Sequence, residues 1–323
     1  MKKLIFINFL ITFLILLFFE FTIRVLNLSN LMGIDAGLMY QKNENHFMTP
    51  DSSGLIFGAK VYIDNNGYRV PSKSYKYEGS KNILFIGDSV TFGNGVLEEE
   101  TFIGKLRKDF QKINFINTSV PGHQIKNYEK KINIFSEFKN LDKAFYIITL
   151  NDVYLSSNIS NFYNEKISEQ ERQKNFWVRL RKINIIGKIN TFLRDKSYLY
   201  MYIKGKFSDP SKRYYKNIDK FYKENSLSAL SDLVDLLKKK LNTELYIITL
   251  PYEYQTRECK EQDLIPQNKI REIMNKKDEI KYFDLSFEFC NTNNPKKNFI
   301  KFDPMHLSLY GHDIVYKFLK DKI

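Results

Sequence analysis

Two short stretches at opposite ends of the chain carry residue types that act together in nucleophilic catalysis. Gly87-Asp88-Ser89 directly follows the apolar run Ile83–Ile86, and Asp303 stands three residues before His306. A histidine in that position can donate its Nδ1–H to the aspartate, which leaves Nε2 free to take a proton from a serine hydroxyl. The two stretches predict Ser89 as nucleophile, His306 as its base and Asp303 as the orienting acid. A purely structural histidine is the alternative interpretation of the second stretch.

Acyl-transfer chemistry also needs N–H donors that point at the oxygen on which negative charge develops. Gly122 ends the stretch that begins at Phe115, and Asn151 follows the apolar run Ala144–Leu150. A glycine lets the backbone approach a ligand closely, and an asparagine amide can donate. The predicted oxyanion hole is therefore the N–H groups of Ser89 and Gly122 together with the side chain of Asn151.

From residue 81 onward the sequence alternates short apolar runs with longer segments of helical pattern. The predicted strands are Ile83–Ile86, Phe115–Asn117, Ala144–Leu150, Glu244–Leu250 and Ile280–Asp284. The predicted helices are Thr101–Gln111, Tyr128–Phe138, Leu227–Leu241, Pro266–Asn275 and Leu309–Lys322. Because the strands are continuous apolar runs, the pattern indicates a parallel sheet covered by helices on both faces. The carboxyl ends of such strands meet at one edge, where ligands bind.

The four blocks, taken in order, resemble the GDSL/SGNH hydrolase superfamily. They are Gly87-Asp88-Ser89, Gly122, Asn151 and Asp303-x-x-His306, and the resemblance covers roughly residues 80 to 323. It implies an α/β fold, a three-layer α/β/α sandwich with about five parallel strands in flavodoxin-like order. It also implies that Ser89, His306 and Asp303 are catalytic and that Ser89, Gly122 and Asn151 form the oxyanion hole.

Two positions depart from the pattern of that family. Thr149 stands where the family has a glycine two residues before the asparagine, and Val90 stands in place of the leucine for which the family is named. The first departure allows a different backbone path beside Asn151, although the asparagine itself remains.

The N-terminal segment predicts an uncleaved signal anchor. Lys2 and Lys3 precede the apolar run Leu4–Phe19, and Glu20 follows it directly. Counted through the flanking turn, the segment reaches the roughly 20 residues that a spanning helix needs. No small-residue cleavage pattern follows the run. With the lysines on the cytoplasmic side, the rest of the chain would lie outside the cytoplasm.

Three parts of the chain are predicted on this basis. Residues 1–26 form the anchor and transmembrane helix, 27–80 a β-containing spacer, and 81–323 the hydrolase domain, with a helical insertion at about 155–225. In the spacer, turns at Pro50–Gly54 and Asn65–Gly67 flank a strand at Leu55–Ile63.

The insertion is too long for an ordinary crossover between strands. Its basic and aromatic stretch at Phe176–Phe207 leaves three interpretations open: helices packed on the domain edge, a lid over the site, or an amphipathic face against the membrane.

Net charge and cysteines limit the partners and cofactors. The 323 residues carry a formal charge of +13, from 50 Lys and Arg against 37 Asp and Glu. The basic residues are scattered, and with an anchor present we expect no nucleic-acid partner. No zinc-finger spacing, P-loop or dinucleotide fingerprint occurs, so neither a cofactor nor a metal is expected. Cys259 and Cys290 could form one disulfide outside the cytoplasm or remain buried thiols.

Five other polar residues have structural alternatives. Asp88 is expected to make a hydrogen bond in its turn, Asp152 to cap a helix or turn, and His312 to have a structural role. His123 adjoins Gly122 and is interpreted either as a substrate contact or as a surface residue. His46 has no partner close in sequence.

The predicted anchor and the resemblance together predict a membrane-anchored, extracytoplasmic serine esterase that removes acyl groups, such as acetyl, from a carbohydrate or lipid ester. Two alternatives remain: an O-acyltransferase on cell-envelope polysaccharide, and a non-catalytic polysaccharide-binding or assembly protein. The partners expected are an ester substrate, such as an O-acetylated polysaccharide, and the membrane. The sequence predicts neither the exact substrate nor the oligomeric state.

Overall fold

The computed structural model describes residues 1–42, 45–153, 184–225 and 227–323 of the chain. Its elements up to residue 153 are α1 (Lys2–Val25), β1 (Met39–Lys42), β2 (Asn45–Met48), β3 (Ser53–Ile56), β4 (Ala59–Ile63), β5 (Arg69–Val70), β6 (Lys81–Ile86), α2 (Ser89–Phe92), α3 (Phe102–Asp109), β7 (Ile113–Asn117), α4 (Ile125–Ser136) and β8 (Leu141–Ile148). From residue 184 they are α5 (Asn184–Lys196), α6 (Tyr198–Phe207), α7 (Pro210–Glu224), α8 (Ser228–Leu241), β9 (Glu244–Thr249), α9 (Glu253–Thr256), α10 (Ile265–Met274), β10 (Ile280–Asp284), α11 (Ser286–Cys290) and α12 (Leu309–Lys320).

The main sheet has five parallel strands in the order β10-β9-β8-β6-β7. Numbered along the chain, this order is 2-1-3-4-5, the flavodoxin-like arrangement. The α/β fold class is therefore confirmed. Along the chain, β6 is the first strand of this sheet and β8 is the third, and the two lie side by side. The connection that follows β6 runs toward one edge of the sheet, and the connection that follows β8 runs toward the other edge. That reversal opens a crevice at their carboxyl ends.

Helices cover both faces of this sheet. Right-handed crossovers place α3 on one face and α4 on the other, because the chain moves in opposite directions along the sheet in the two connections. The same rule places α8 and α10 on the face of α4. Helix α8 packs against α4, and the C-terminal helix α12 packs against α3. Ile83–Ile86 of β6 are completely buried between the two layers.

The predicted elements of residues 81–323 all occur, with ends shifted by a few residues. One prediction in the preceding region is wrong: Leu55–Ile63 is not a single strand. A two-residue turn at Phe57-Gly58 divides it into the antiparallel pair β3 and β4. Both turn residues have positive φ, 51° and 81°. Paired positive φ angles are typical of the tight hairpin turn whose twist matches that of the strands.

The β-rich region before residue 81 packs onto the main sheet's loops. The three-stranded sheet β3-β4-β5 buries an apolar cluster that includes Ile56 and Val61. Phe92, from the helix after β6, and Val120, from the loop after β7, belong to the same cluster. These contacts hold the region against the ends of β6 and β7. The domain boundaries given above stay a prediction.

A buried arginine joins the two regions. Arg69 in β5 is completely buried, and its guanidinium donates to the carbonyls of Phe92 (2.7 Å), Gly93 (2.6 Å) and Val96 (2.7 Å). Burial lowers the pKa of Arg69 to about 10, opposed by the charge of Glu98. The guanidinium is therefore still charged near neutral pH, and its charged hydrogen bonds fix the loop that follows α2.

The apolar helix α1 is long enough to cross a membrane, and in the part of the chain that the structure describes it alone meets that criterion. Its side chains are exposed until its last turns, where Ile23 is buried. There Glu20 accepts hydrogen bonds from Ser197 Oγ (2.8 Å) and from the N–H groups of Tyr198 (2.7 Å) and Leu199 (2.9 Å). The carboxylate thus caps the N-terminus of α6, where negative charge is favourable.

The described part of the insertion, residues 184–225, is helical and consists of α5, α6 and α7. Trp177, Arg179 and the remainder of the insertion lie outside the described residues.

Cys259 and Cys290 form a disulfide, with Cα atoms 6.0 Å apart. Of the two interpretations of these cysteines, disulfide or buried thiols, the structure has the disulfide.

The disulfide predicts a measurable loss of stability when it is removed. It closes a loop of 31 residues, and cross-linking a loop of that size stabilises a fold by roughly 3 kcal/mol through the unfolded chain. We expect the double variant Cys259→Ser/Cys290→Ser to lose about 2–4 kcal/mol of unfolding free energy in urea, followed by circular dichroism on the full chain in detergent. Reductant should weaken the wild type equally and leave the variant unchanged. Equal stability of variant and wild type would contradict the prediction.

Candidate active site

Ser89 is positioned by the strand β6 and the short helix α2. Asp88 caps that helix, because its Oδ1 accepts the N–H of Val90 at 2.9 Å. Gly87 is required for packing: a Cβ there would lie 2.2 Å from Thr91 Oγ1. The chain therefore leaves the buried strand and turns at once, which places Ser89 at the carboxyl edge of the sheet.

The loop before α12 is organised by one carboxylate. Asp303 Oδ1 accepts the N–H groups of Met305 (2.9 Å) and His306 (2.8 Å), and Oδ2 contacts His306 Nδ1 at 2.8 Å. The other ring nitrogen, Nε2, lies 2.8 Å from Ser89 Oγ. The structure thus brings together Asp303, His306 and Ser89 in one hydrogen-bonded chain across 217 residues of sequence.

The charges in this chain favour an ion pair between aspartate and histidine. Burial disfavours the carboxylate of Asp303, but the charge of His306 and the hydrogen bonds to the carboxylate outweigh it, so the pKa of Asp303 is lowered. Burial likewise disfavours the imidazolium, but the charge and hydrogen bond of Asp303 outweigh it and raise the pKa of His306 above its ordinary 6.5. The site can therefore accept a proton on His306 at little electrostatic cost.

The three predicted donors follow three different strands, β6, β7 and β8. Gly122 has a positive φ of 81°, and a Cβ would meet nothing within 4 Å. It is needed for its backbone conformation, not for space. In the part of the chain that the structure describes, the N–H groups of Ser89 and Gly122 donate to no protein acceptor.

The Asn151 side chain is held by two groups. Its Nδ2 donates to Asp88 Oδ2 at 2.9 Å, and its Oδ1 accepts from the hydroxyl of Tyr252 at 2.8 Å. Burial, with nearby negative groups such as Asp88, raises the pKa of Tyr252 well above 10, so the phenol keeps its proton and donates. The two partners fix which end of the amide carries the nitrogen, and one Nδ2 hydrogen remains for a ligand. Thr149, at the position of the missing glycine, leaves Asn151 at the end of β8.

The other polar residues singled out in the sequence have structural partners. His123 is 1% exposed and its Nε2 contacts the carbonyl of His46 at 2.7 Å. Its interpretation as a surface residue is therefore wrong. Burial and then the charge of Lys131 lower the pKa of His123 to about 3, so it is neutral. His312 is buried and accepts the N–H of Phe102 at 3.4 Å through Nδ1.

Asp152 is buried as well and accepts the N–H of Thr149 at 3.2 Å, as expected for a turn residue. Burial, then the charge of Asp88, raises its pKa well above 3.8. Within the described residues, no group of three or more His, Cys, Asp and Glu side chains could hold a metal ion.

Sequence reasoning missed three residues that support the site: Arg69, Phe57 and Tyr252. Phe57 places its ring edge-on to His306, with ring centroids 5.0 Å apart. The positive φ of Phe57 turns the chain there, and only the adjacent Gly58 hinted at a turn. Arg69 and Tyr252 lie in no recognisable motif, so no sequence pattern pointed to either of them.

A cavity of about 440 Å³ adjoins the site. Residues Phe302 to His306 form part of its wall, Met32 forms another part, and α5, α6 and α7 of the insertion form most of the rest. The described part of the insertion is therefore next to the predicted base, the position expected of a segment that covers the site.

Comparison with protein-family models gives no match, and neither does comparison with curated proteins. Solved structures with a similar overall fold do exist. One is a member of the lipolytic protein G-D-S-L family from Veillonella parvula DSM 2008, with 13% identity and a TM-score of 0.43 over 75% of this chain and 97% of that chain.

Two others are acetylxylan esterases. The first, AlAXEase, has 16% identity and a TM-score of 0.44 over 75% of this chain and 99% of its own. The second, Axe2 from Geobacillus stearothermophilus, has 15% identity and a TM-score of 0.42 over 76% of this chain and 96% of its own. The chain is thus similar in overall fold to GDSL proteins and acetylxylan esterases, and its chemistry is inferred below from its own residues.

Proposed function

We propose that the protein is a serine esterase that forms an acyl-enzyme on Ser89. The observation that carries the proposal is the continuous chain of hydrogen bonds from Asp303 through His306 to Ser89, with both links at 2.8 Å. A nucleophile bonded to a base, with that base oriented by a third group, is the arrangement that activates a serine hydroxyl.

The reaction follows from the geometry in two halves. Ser89 Oγ attacks the ester carbonyl while its proton passes to His306 Nε2, and Asp303 stabilises the imidazolium. The N–H groups of Ser89 and Gly122 and the free Nδ2 hydrogen of Asn151 stabilise the oxyanion. When the tetrahedral intermediate collapses, His306 returns the proton to the departing alcohol. Water, deprotonated by His306, then attacks the acyl-enzyme, and the acid leaves with Ser89 restored.

The same acyl-enzyme would serve an acyltransferase if a sugar hydroxyl took the place of water. The resemblance of the sequence favours acyl groups, such as acetyl, on a carbohydrate or lipid as the ester. A non-catalytic polysaccharide-binding protein would have no need to keep the nucleophile, base and acid in register, and the intact chain of hydrogen bonds therefore disfavours that alternative.

We also propose that the enzyme is anchored by α1 with its active site outside the cytoplasm. Lys2 and Lys3 precede the apolar helix, as the positive-inside rule requires. The contacts of Glu20 with the N-terminus of α6 support an uncleaved helix, because cleavage after the apolar run would remove the cap from α6. The disulfide between Cys259 and Cys290 agrees with an oxidising compartment.

Replacing the nucleophile tests the esterase directly. We expect Ser89→Ala to lower kcat/KM for p-nitrophenyl acetate by about 10⁴-fold or more and to abolish labelling by a fluorophosphonate probe. Ser119→Ala is the matched control, because Ser119 is also buried after a strand of the sheet, yet its hydroxyl has no hydrogen-bond partner among the described residues. The control should keep both the turnover of p-nitrophenyl acetate and the labelling by the probe. Unchanged turnover by Ser89→Ala would refute the proposal.

The pH profile should report His306. The base works only when it is neutral, and Asp303 raises its pKa, so kcat/KM should fall as the pH is lowered through a midpoint above 6.5. The measurement is the initial rate of p-nitrophenyl acetate hydrolysis across the pH range. Full recovery on return to the optimum pH would separate titration from unfolding. A midpoint at or below 6.5 would contradict the assigned coupling of Asp303 with His306.

Fractionation tests the anchor. Full-length protein should stay with membranes through an alkaline carbonate wash. Protease added to the outside of spheroplasts should digest the domain that follows α1 but leave a cytoplasmic marker protein intact. Recovery of full-length protein in the soluble fraction would overturn the anchor.

The variant Glu20→Ala tests the contact between α1 and α6. We expect it to stay in the membrane but to expose α6 to proteolysis sooner, because α6 loses three hydrogen bonds at its N-terminus.

A further inference from the structure

The cavity beside His306 has an unusual distribution of charge. Three cationic side chains line it: Arg194 from α5, Lys204 from α6 and Arg213 from α7. The one acidic side chain among its described lining residues is Asp303, and both oxygens of that carboxylate are already bonded to Met305 and His306. The space next to the predicted base is therefore electropositive.

Two of these cations lack an internal counter-charge. Over residues 1–42, 45–153, 184–225 and 227–323, no carboxylate lies within 4 Å of the Arg194 or Arg213 guanidinium, and Arg194 Nη2 lies 3.9 Å from the sulfur of Met32. Arg257 nearby is different, because it pairs with Asp209 and Glu253. Arg194 is partly exposed and Arg213 is exposed, so both guanidinium groups are open to an external anion.

The rest of the lining combines polar groups with apolar side chains. Asn190 and Asn217 place amides in the wall, and Asn190 Oδ1 also accepts from Lys204 Nζ at 3.2 Å. A cavity of about 440 Å³ accommodates one or two sugar rings. Amides and guanidinium groups recognise hydroxyls and acidic oxygens, and apolar side chains such as Tyr214 and Phe302 can pack against the face of a sugar ring.

We propose that this cavity is a subsite for an acidic carbohydrate: Arg194 and Arg213 bind a carboxylate or phosphate on the sugar whose ester reaches Ser89. The inference rests on the proposed esterase and names its substrate class. His306 borders both the cavity and Ser89, so an acid group held by the two arginines lies on the alcohol side of the ester bond. The subsite thus selects the sugar, while Ser89 and the three N–H donors act on the acyl group.

The test compares acetate esters that differ only in charge. Full-length protein in detergent is assayed with acetylated methyl glucoside, acetylated methyl glucuronoside and acetylated methyl 6-phosphoglucoside. We expect kcat/KM to be at least tenfold higher for one or both acidic sugars than for the neutral one, and the preference to decline with added salt. The uronate and phosphate arms distinguish the two sources of negative charge.

Variants test the two arginines. We expect Arg194→Gln and Arg213→Gln each to reduce the ratio of acidic to neutral kcat/KM about tenfold, through KM, because a charge-assisted hydrogen bond is lost. Lys212→Gln is the matched control. Lys212 is the exposed residue next to Arg213 and carries the same charge, but Lys212 does not line the cavity. The control should keep the ratio of the wild type.

Three outcomes of these assays overturn the proposal: a wild-type ratio of acidic to neutral kcat/KM near one, a loss of that ratio in Lys212→Gln equal to the loss in the arginine variants, or no loss in either arginine variant. A fourth comes from inhibition of p-nitrophenyl acetate turnover: stronger inhibition by phosphatidylglycerol vesicles than by methyl glucuronoside also overturns it. Turnover of p-nitrophenyl acetate, which carries no acid, reports the esterase separately. If no ester is turned over, the esterase fails, and calorimetry of methyl glucuronoside binding to wild type and Arg194→Gln decides the subsite: arginine-dependent binding supports it, and its absence refutes it.

Discussion

The site depends on the guanidinium of Arg69. Its three hydrogen bonds hold the carbonyls of Phe92, Gly93 and Val96, the loop that follows the nucleophile's helix. Without that donor, the buried carbonyls of Phe92 and Val96 would lose their described partner, at a cost of about 1–3 kcal/mol each, and the carbonyl of Gly93 would keep only the N–H of Val96 at 3.5 Å. Arg107 extends the network, because it donates to the carbonyls of Arg69 and Phe115 and pairs with Glu98. One buried network therefore connects the β-rich region, the nucleophile loop and strand β7.

Two acids near this fixed loop have different partners. Asp303 bonds to His306, the predicted base, and stabilises positive charge on it, whereas Asp88 bonds to Asn151 and to the helix that carries Ser89. Asp88 Oδ2 also lies 3.4 Å from Ser89 Oγ, and the charge of Asp88 helps to raise the pKa of His306. Because Tyr252 holds the other end of the Asn151 amide, the predicted oxyanion donor is oriented before any ester arrives. Such preorganisation avoids reorientation of dipoles during the reaction.

The sequence predicted what depends on local pattern and missed what depends on distant contacts. The continuous apolar run at Ile83–Ile86 indicated a buried strand, and the residues after three strands pointed to one edge of the sheet. The pairing of Tyr252 with Asn151 spans 101 residues and has no periodic signal. The burial of His123 was missed for the same reason, since the His46 carbonyl that it contacts lies 77 residues away in sequence. Phe57 was missed because phenylalanine rarely adopts positive φ, so its turn had no clear signature.

Helix α6 links the apolar N-terminal helix to the predicted base. At one end, Glu20 of α1 caps α6; along its length, Gly205 packs directly on Phe302, where a Cβ would come within 2.2 Å of the ring. Phe302 adjoins Asp303 in sequence and has a positive φ of 62°. The turn that positions the predicted orienting acid is therefore braced by a helix that α1 itself caps. These contacts hold the proposed active site near the end of α1, and under the proposed anchoring it would meet acidic carbohydrate close to the membrane surface.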